Sequence, residues 1–183
     1  MAKELEVKVL NIDKNNIEKK LKEIGAKLIK KEHQVNTIFD TEDRIIKNRD
    51  KGYLRIRESK DIINNDTQYI FTLKKNIAKN ALRENIEIET KIDNEEALTE
   101  ILRHLDLDIR HRGTKERISY KYDNIRFDID TWNKETYPEP YLEIEVDNEE
   151  DLNKAIELLE LARDNVTSKS LAQLRMEVGL TDL

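Results

Sequence analysis

Glu4, Glu6 and Lys8 alternate with Leu5, Val7 and Val9 at the start of the chain. Successive side chains of a β-strand point to opposite faces, so the two carboxylates and the ammonium share one face while the aliphatic residues take the other. Near the far end, Glu143 and Glu145 repeat the device opposite Leu142, Ile144 and Val146. Between them the same parity groups Arg55 with Arg57, Thr72 with Lys74, Arg83 with Glu87 and Glu89, Lys115 with Arg117, and Arg126 with Asp128 and Asp130. A face charged this densely in both signs suits a polyanion held through metal ions and basic side chains. Carboxylates repel a phosphate chain, but they hold Mg²⁺ or Mn²⁺, hard ions that take oxygen ligands and bridge to phosphate. Glu4, Glu6, Glu143 and Glu145 suit that task as paired carboxylates, with Glu89 and Asp130 as additions. Arg55 and Arg57 offer planar forks for phosphate oxygens, and Lys8, Lys74, Arg83 and Arg117 add positive charge. Lys8, beside the carboxylates, has two competing roles: a cation for phosphate, which is favoured, or an activator of water. A flat antiparallel sheet with one solvated charged face would show the same alternation.

The elements that must carry these residues are legible as strands and helices in alternation. Strands are expected over 3–10, 27–40, 53–57, 68–74, 83–92, 114–122, 125–132 and 140–147. The spacing of Ile17, Leu21 and Ile24 predicts a helix capped by Asp13 and stopped at Gly25. Asp93 or Asn94 opens a second helix carrying Leu98, Ile101, Leu102 and Leu105, and Leu152, Ile156 and Leu159 mark a third. A short helix is expected in the tail from Thr167 to Leu180, and Asp123-Asn124 reads as a hairpin turn. Roughly eight antiparallel strands are enough to close into a barrel, which would turn the charged face inward.

Composition bounds the rest. The 183 residues suffice for one domain, taken as 1–183, with its own core. The net charge of −6 argues against non-specific binding to nucleic acid or membrane surfaces. Cysteine is absent, which excludes disulfides, thiolate metal ligands and thiol nucleophiles. No apolar run has the length of a membrane span or signal peptide, so a cytoplasmic protein is expected. His33, His104 and His111 lack metal-ligand spacing and read as surface residues. Trp132, Tyr137 and Tyr141 could stack on a base, but packing or rim roles are favoured for them. The glycine-poor chain has no phosphate-cradling loop, so phosphate must be bound by side chains.

Taken in order, Glu4-Leu5-Glu6-Val7-Lys8, Asn36-Thr37-Ile38-Phe39-Asp40-Thr41, Leu54-Arg55-Ile56-Arg57, Thr72-Leu73-Lys74, Glu87-Ile88-Glu89, Lys115-x-Arg117, Asp128-Ile129-Asp130, Tyr141-Leu142-Glu143-Ile144-Glu145 and Lys169-Ser170 resemble the CYTH, or triphosphate tunnel metalloenzyme, superfamily. The resemblance implies an α+β fold with a closed eight-stranded antiparallel β-barrel, helices outside and a charged tunnel within. It implies metal-bearing glutamates from both ends of the chain, and it adds Lys169 to the substrate-binding set. Members include inorganic, thiamine and RNA triphosphatases and class IV adenylyl cyclases. The expected activity is metal-dependent hydrolysis of a triphosphate-containing small molecule, inorganic triphosphate before ATP or thiamine triphosphate, with Lys8, Glu4 and Glu6 at the reaction centre. Cyclisation of ATP to cyclic AMP is the runner-up, and a non-catalytic polyphosphate or nucleotide-binding module is the third reading. A monomer or homodimer is expected. The stretch Trp132–Pro140 departs from the glycine-containing link common in the family.

Overall fold

The computed structural model describes the backbone of residues 2–79 and 83–181, and the side chains of 5–76 and 85–181. Nine strands form one antiparallel sheet: β1 (Ala2–Val9), β2 (Lys27–Asp40), β3 (Tyr53–Asp61), β4 (Asp66–Lys79), β5 (Arg83–Ile92), β6 (Asp108–Tyr122), β7 (Ile125–Trp132), β8 (Tyr141–Val146) and β9 (Val166–Thr167). Their spatial order is β5-β4-β3-β2-β6-β7-β8-β1-β9, with a further pairing of β1 to β5. Five helices accompany them: α1 (Lys14–Glu23), α2 (Ile45–Asp50), α3 (Glu95–His104), α4 (Glu149–Leu158) and α5 (Leu171–Glu177).

The expectation of a closed eight-stranded barrel needs correction. The described sheet is nine-stranded, and it does not close as one continuous barrel. One edge of β1 pairs with β8 from Leu5 to Val9. Its other edge is divided, Ala2–Glu6 facing β5 and Lys8–Val9 facing β9. The short β9 thus takes the part of β1 that a complete seam would need.

Local chemistry sets the helix ends. The Asp13 carboxylate accepts from the Asn16 amide at 2.7 Å, and Gly25 takes the left-handed conformation (φ 80°) just past α1. Asn94 rather than Asp93 caps α3, and Ser170 and Gln173 form a reciprocal capping box on α5. Two features were not anticipated. Helix α2 is held by Asp40, whose carboxylate accepts from the Ile46 and Lys47 amides at 2.9 and 3.0 Å. Strand β6 begins six residues before the expected 114, because Ile109, His111 and Arg112 continue the ladder with β2 across a register shift at Ile38/Phe39. Among the described residues no helix is long and apolar enough to cross a membrane.

The aliphatic parity faces the helices. Val7, Val9, Ile118, Phe127, Ile129, Leu142 and Ile144 form one core with Ile17 and Leu21 of α1 and Leu152, Ala155 and Ile156 of α4. Phe39, Leu54 and Ile56 pack with Ile46 of α2 and Leu102 of α3 in a second. The charged parity is also buried: Glu6 is 7% exposed, Lys8 5%, Arg117 7% and Asp130 0%. A solvated sheet face would leave such side chains open to water, so that alternative is excluded.

Candidate functional site

The buried charges line a cavity of about 580 Å³, walled by the charged faces of the strands and by the Ser168–Gln173 segment. Glu6, Lys8, Arg55, Arg57, Lys74, Glu89, Arg117, Glu143, Glu145 and Lys169 all line it. Asp130 lies beneath that surface, holding Lys115 at 2.8 Å and the Arg117 guanidinium at 2.7 Å through two oxygens. The side chains of Glu4 and Arg83 lie outside the described residues, although their backbones pair with Asn85 and Glu6. Lys169 sits at the edge, half-exposed and bonded to Glu177 at 2.5 Å.

Opposite charges are interleaved across the cavity. Lys8 stands 3.1 Å from Glu143 and 3.7 Å from Glu6. Lys74 joins Glu6 at 3.3 Å to Glu87 at 2.7 Å. Arg117 reaches Asp128 at 2.6 Å and Glu143 at 3.1 Å, while Glu89 takes Arg57 at 3.4 Å, Arg55 at 3.8 Å and the Thr72 hydroxyl at 2.8 Å. Burial alone would raise the Glu143 carboxyl. Lys8, Arg117, Lys115 and Lys74 outweigh it and hold that group well below the usual carboxylate range.

Two places remain electrostatically unbalanced. On the β3 side, burial followed by repulsion from Arg55 and Arg117 pushes the Arg57 guanidinium down to about 10, and the Nε atoms of Arg55 and Arg57 have no hydrogen-bond partner. That wall is short of negative charge. On the β8 side, Glu145 stands directly across from Glu6. Burial raises its carboxyl, Arg126 only partly offsets this, and Asp128 and Glu143 raise it further. That wall is short of positive charge. Like charges placed across a strand pair are destabilising unless a cation intervenes.

The donor set fits a hard divalent ion in kind. Glu6, Glu143 and Glu145 are carboxylates on one face of adjacent strands, and the set contains no thiolate. In the conformation described, lysines and arginines engage these groups, and among the described residues no three His, Asp or Glu side chains converge as a ready ion site. An ion would have to displace a contact such as Lys8–Glu143.

Sequence reasoning assigned no site role to several lining residues. Lys115 is the main one: it is buried, bonded to Asp130 and placed 4.9 Å over the Trp132 ring. Its parity with Arg117 was the available signal. Glu87 likewise shares a face with Glu89 and pairs with Lys74. His111 corrects the expectation of a surface histidine, since it lines the cavity with Nε2 3.1 Å from the Thr136 hydroxyl. Trp132 and Tyr141 are joined by an indole N–H donated to the phenol oxygen at 2.9 Å, and both line the same end.

Lys115 gives the site a pH signature. Burial and then Arg117 lower its ammonium to about 8, with Asp130 and Glu143 opposing. An anion binds the protonated form better, so triphosphate affinity measured by calorimetry in metal-free buffer is expected to fall as pH rises through about 8. Lys115→Met is expected to remove that step. In the unfolded chain this lysine titrates near 10.5, so between about 8 and 10.5 the unfolded state binds more protons and the group's contribution to stability rises with pH.

Comparison with known proteins adds the family context. The family model for the CYTH domain matches residues 2–171. A Methanocaldococcus jannaschii protein described as a "putative adenylate cyclase" is 31% identical over 181 residues, covering 94% of this chain and 98% of its own. The solved PH1012 protein of Pyrococcus horikoshii superposes with a TM-score of 0.75 at 25% identity, covering 93% and 98% of the two chains. A Hippeastrum protein, whose structure is described as that of an adenylyl cyclase candidate with dominant triphosphatase activity, superposes at 0.69 with 14% identity, covering 98% and 97%; it shares the fold.

Proposed function

This chain belongs to the CYTH domain family, and from that premise we propose that it hydrolyses triphosphate substrates with the help of a divalent metal ion, inorganic triphosphate foremost. Family members are triphosphate-acting enzymes, adenylyl cyclases or triphosphatases, and generally metal-dependent. The observation that carries the reading is the pair of opposed imbalances in one cavity. Arg57, pushed down to about 10, shares Glu89 with Arg55, and Glu145, pushed up, has Arg126 only at 3.8 Å. A triphosphate bound together with Mg²⁺ or Mn²⁺ supplies negative charge to the first and positive charge to the second. The β1–β5 pairing joins the strand of Glu6 to that of Glu87 and Glu89, and all three line this cavity.

Glu6, Glu143 and Glu145 would hold the metal, with Glu4 and Glu89 as further candidates. A bound ion would supply positive charge to stabilise the phosphate oxygens. Arg55, Arg57, Lys74, Lys115, Arg117 and Lys8 grip and orient the phosphate chain, with Arg83 and Lys169 as additional candidates. Asp130 and Asp128 fix the Arg117 fork, so it meets the substrate in a set orientation. Lys8, held by Glu143, acts as a phosphate cation. Positioning and electrostatics account for phosphoryl transfer without a covalent nucleophile.

The jannaschii relative's description favours a second reading, cyclisation of ATP, in which Trp132, His111 and Thr136 would meet the base. A panel of inorganic triphosphate, ATP and thiamine triphosphate with Mg²⁺ or Mn²⁺, analysed for phosphate and cyclic AMP, separates the two. Phosphate release from inorganic triphosphate is expected to exceed cyclic AMP formation. Cyclic AMP as the dominant product from ATP, without triphosphate cleavage, overturns this choice. Binding without turnover on any of the three would favour the non-catalytic module.

A further inference from the structure

Asn36 lies on β2 between Arg57 of β3 and Gly113 of β6. Its side chain is 2% exposed and lines the cavity, yet neither Nδ2 nor Oδ1 has a hydrogen-bond partner. A buried amide with every bond unmet is costly, and such a group calls for an explanation. The neighbourhood offers no intramolecular one. On the β6 side there is no side chain, and a Cβ at Gly113 would run into Thr136 Oγ1 at 2.3 Å. On the β3 side the neighbour is a cation whose own Nε is unpartnered.

We propose that Asn36 is a substrate-contacting residue, whose amide donates to a phosphoryl oxygen and accepts from an O–H group held beside it. The inference rests on the triphosphate reading of the cavity and deepens it. The amide differs in kind from the arginines and lysines around it, which only donate. Ionised phosphoryl oxygens only accept, so they satisfy Nδ2 and leave Oδ1 open. Oδ1 therefore requires a donor, and in a phosphate-filled cavity that donor is a water or a hydroxyl adjacent to the chain. The two ends of an amide are interchangeable in assignment, but both are unpartnered here, so the argument holds in either orientation. Asn36 thereby marks where a phosphoryl group and an O–H oxygen meet, next to the Arg55–Arg57 wall.

Asn36→Leu keeps roughly the volume and removes both polar atoms. Since those atoms have no partner within the protein, the variant loses no intramolecular bond and is expected to melt no lower than the wild type. Calorimetric titration with inorganic triphosphate in metal-free buffer is expected to show at least about tenfold weaker binding, the scale of one hydrogen bond to a charged group. Asn36→Asp, isosteric but anionic, is expected to bind more weakly still. Affinity within twofold of wild type in either folded variant overturns the assignment. So does a lower melting temperature of Asn36→Leu accompanying the loss, which would make the residue structural. Should Asn36→Leu fail to fold, that too contradicts the inference, and Asn36→Asp still reports on binding. A wild-type protein that does not bind triphosphate at all brings down the functional reading itself, a result distinct from insensitivity of the Asn36 variants.

Discussion

Glu6→Gln is expected to lower triphosphate turnover at ordinary Mg²⁺ by at least about 100-fold, the order seen when an oriented metal is lost. Glu6 stands directly across from Glu145 and is reached by Lys74 at 3.3 Å, Asn85 at 3.3 Å and Lys8 at 3.7 Å. A glutamine there has the same shape but a single acceptor oxygen, enough for Lys74 or for Asn85 where the carboxylate served both, and it carries no charge to offer a cation. The fold is expected to survive for a specific reason. Lys8 retains Glu143 at 3.1 Å and Lys74 retains Glu87 at 2.7 Å, so neither ammonium is left buried alone. Turnover measured across a Mn²⁺ titration, alongside a melting curve, separates loss of metal from loss of structure. Normal turnover by a folded Glu6→Gln protein at ordinary Mg²⁺ would sink the metal assignment.

Alternation made the charged face legible, because a period of two leaves no ambiguity about which side chains travel together once a segment is a strand. Glu6, Lys8, Arg55, Arg57, Lys74, Arg117, Glu143 and Glu145 could all be placed on the cavity side for that reason. What parity cannot give is depth. Asp130 shares the face of Arg126 and Asp128, yet it lies under Lys115 and Arg117 and takes up their charge instead of facing the cavity. Register decides that, because Asp130 pairs with Arg117 across β6 and β7. Helix α2 escaped because its first amides donate to Thr41 and Asp40, upstream of the usual capping position, where Arg44 makes no side-chain capping bond. His111 was misjudged since its partner, Thr136, comes from a turn 25 residues away. The two-residue β9, which divides the β1 edge, carries too short a pattern for any periodicity to show.

Arg57→Ala and Arg55→Ala are each expected to weaken triphosphate binding by a few kcal/mol, about 1.5–3 for a charge-assisted bond that is removed from one side. The electrostatics of the free protein make the sign secure. Arg57 sits beside Arg55 and Arg117 in a buried wall, and burial with that repulsion lowers its guanidinium to about 10. The carboxylate bonded to it is Glu89 at 3.4 Å, which also has Arg55 and the Thr72 hydroxyl. Deleting Arg57 therefore relieves repulsion and leaves Glu89 still bonded, so the ligand-free protein is expected to melt close to the wild type. Affinity falls while stability holds, which is the mark of a charge placed for a ligand. Arg57→Lys is expected to rescue only part of the loss, since an ammonium restores charge without the planar fork. Calorimetry with inorganic triphosphate decides the matter. Unchanged affinity in both alanine variants would mean that these guanidinium groups do not meet the phosphate chain, and the cationic wall would have to be assigned to Lys74, Lys115 and Arg117 alone.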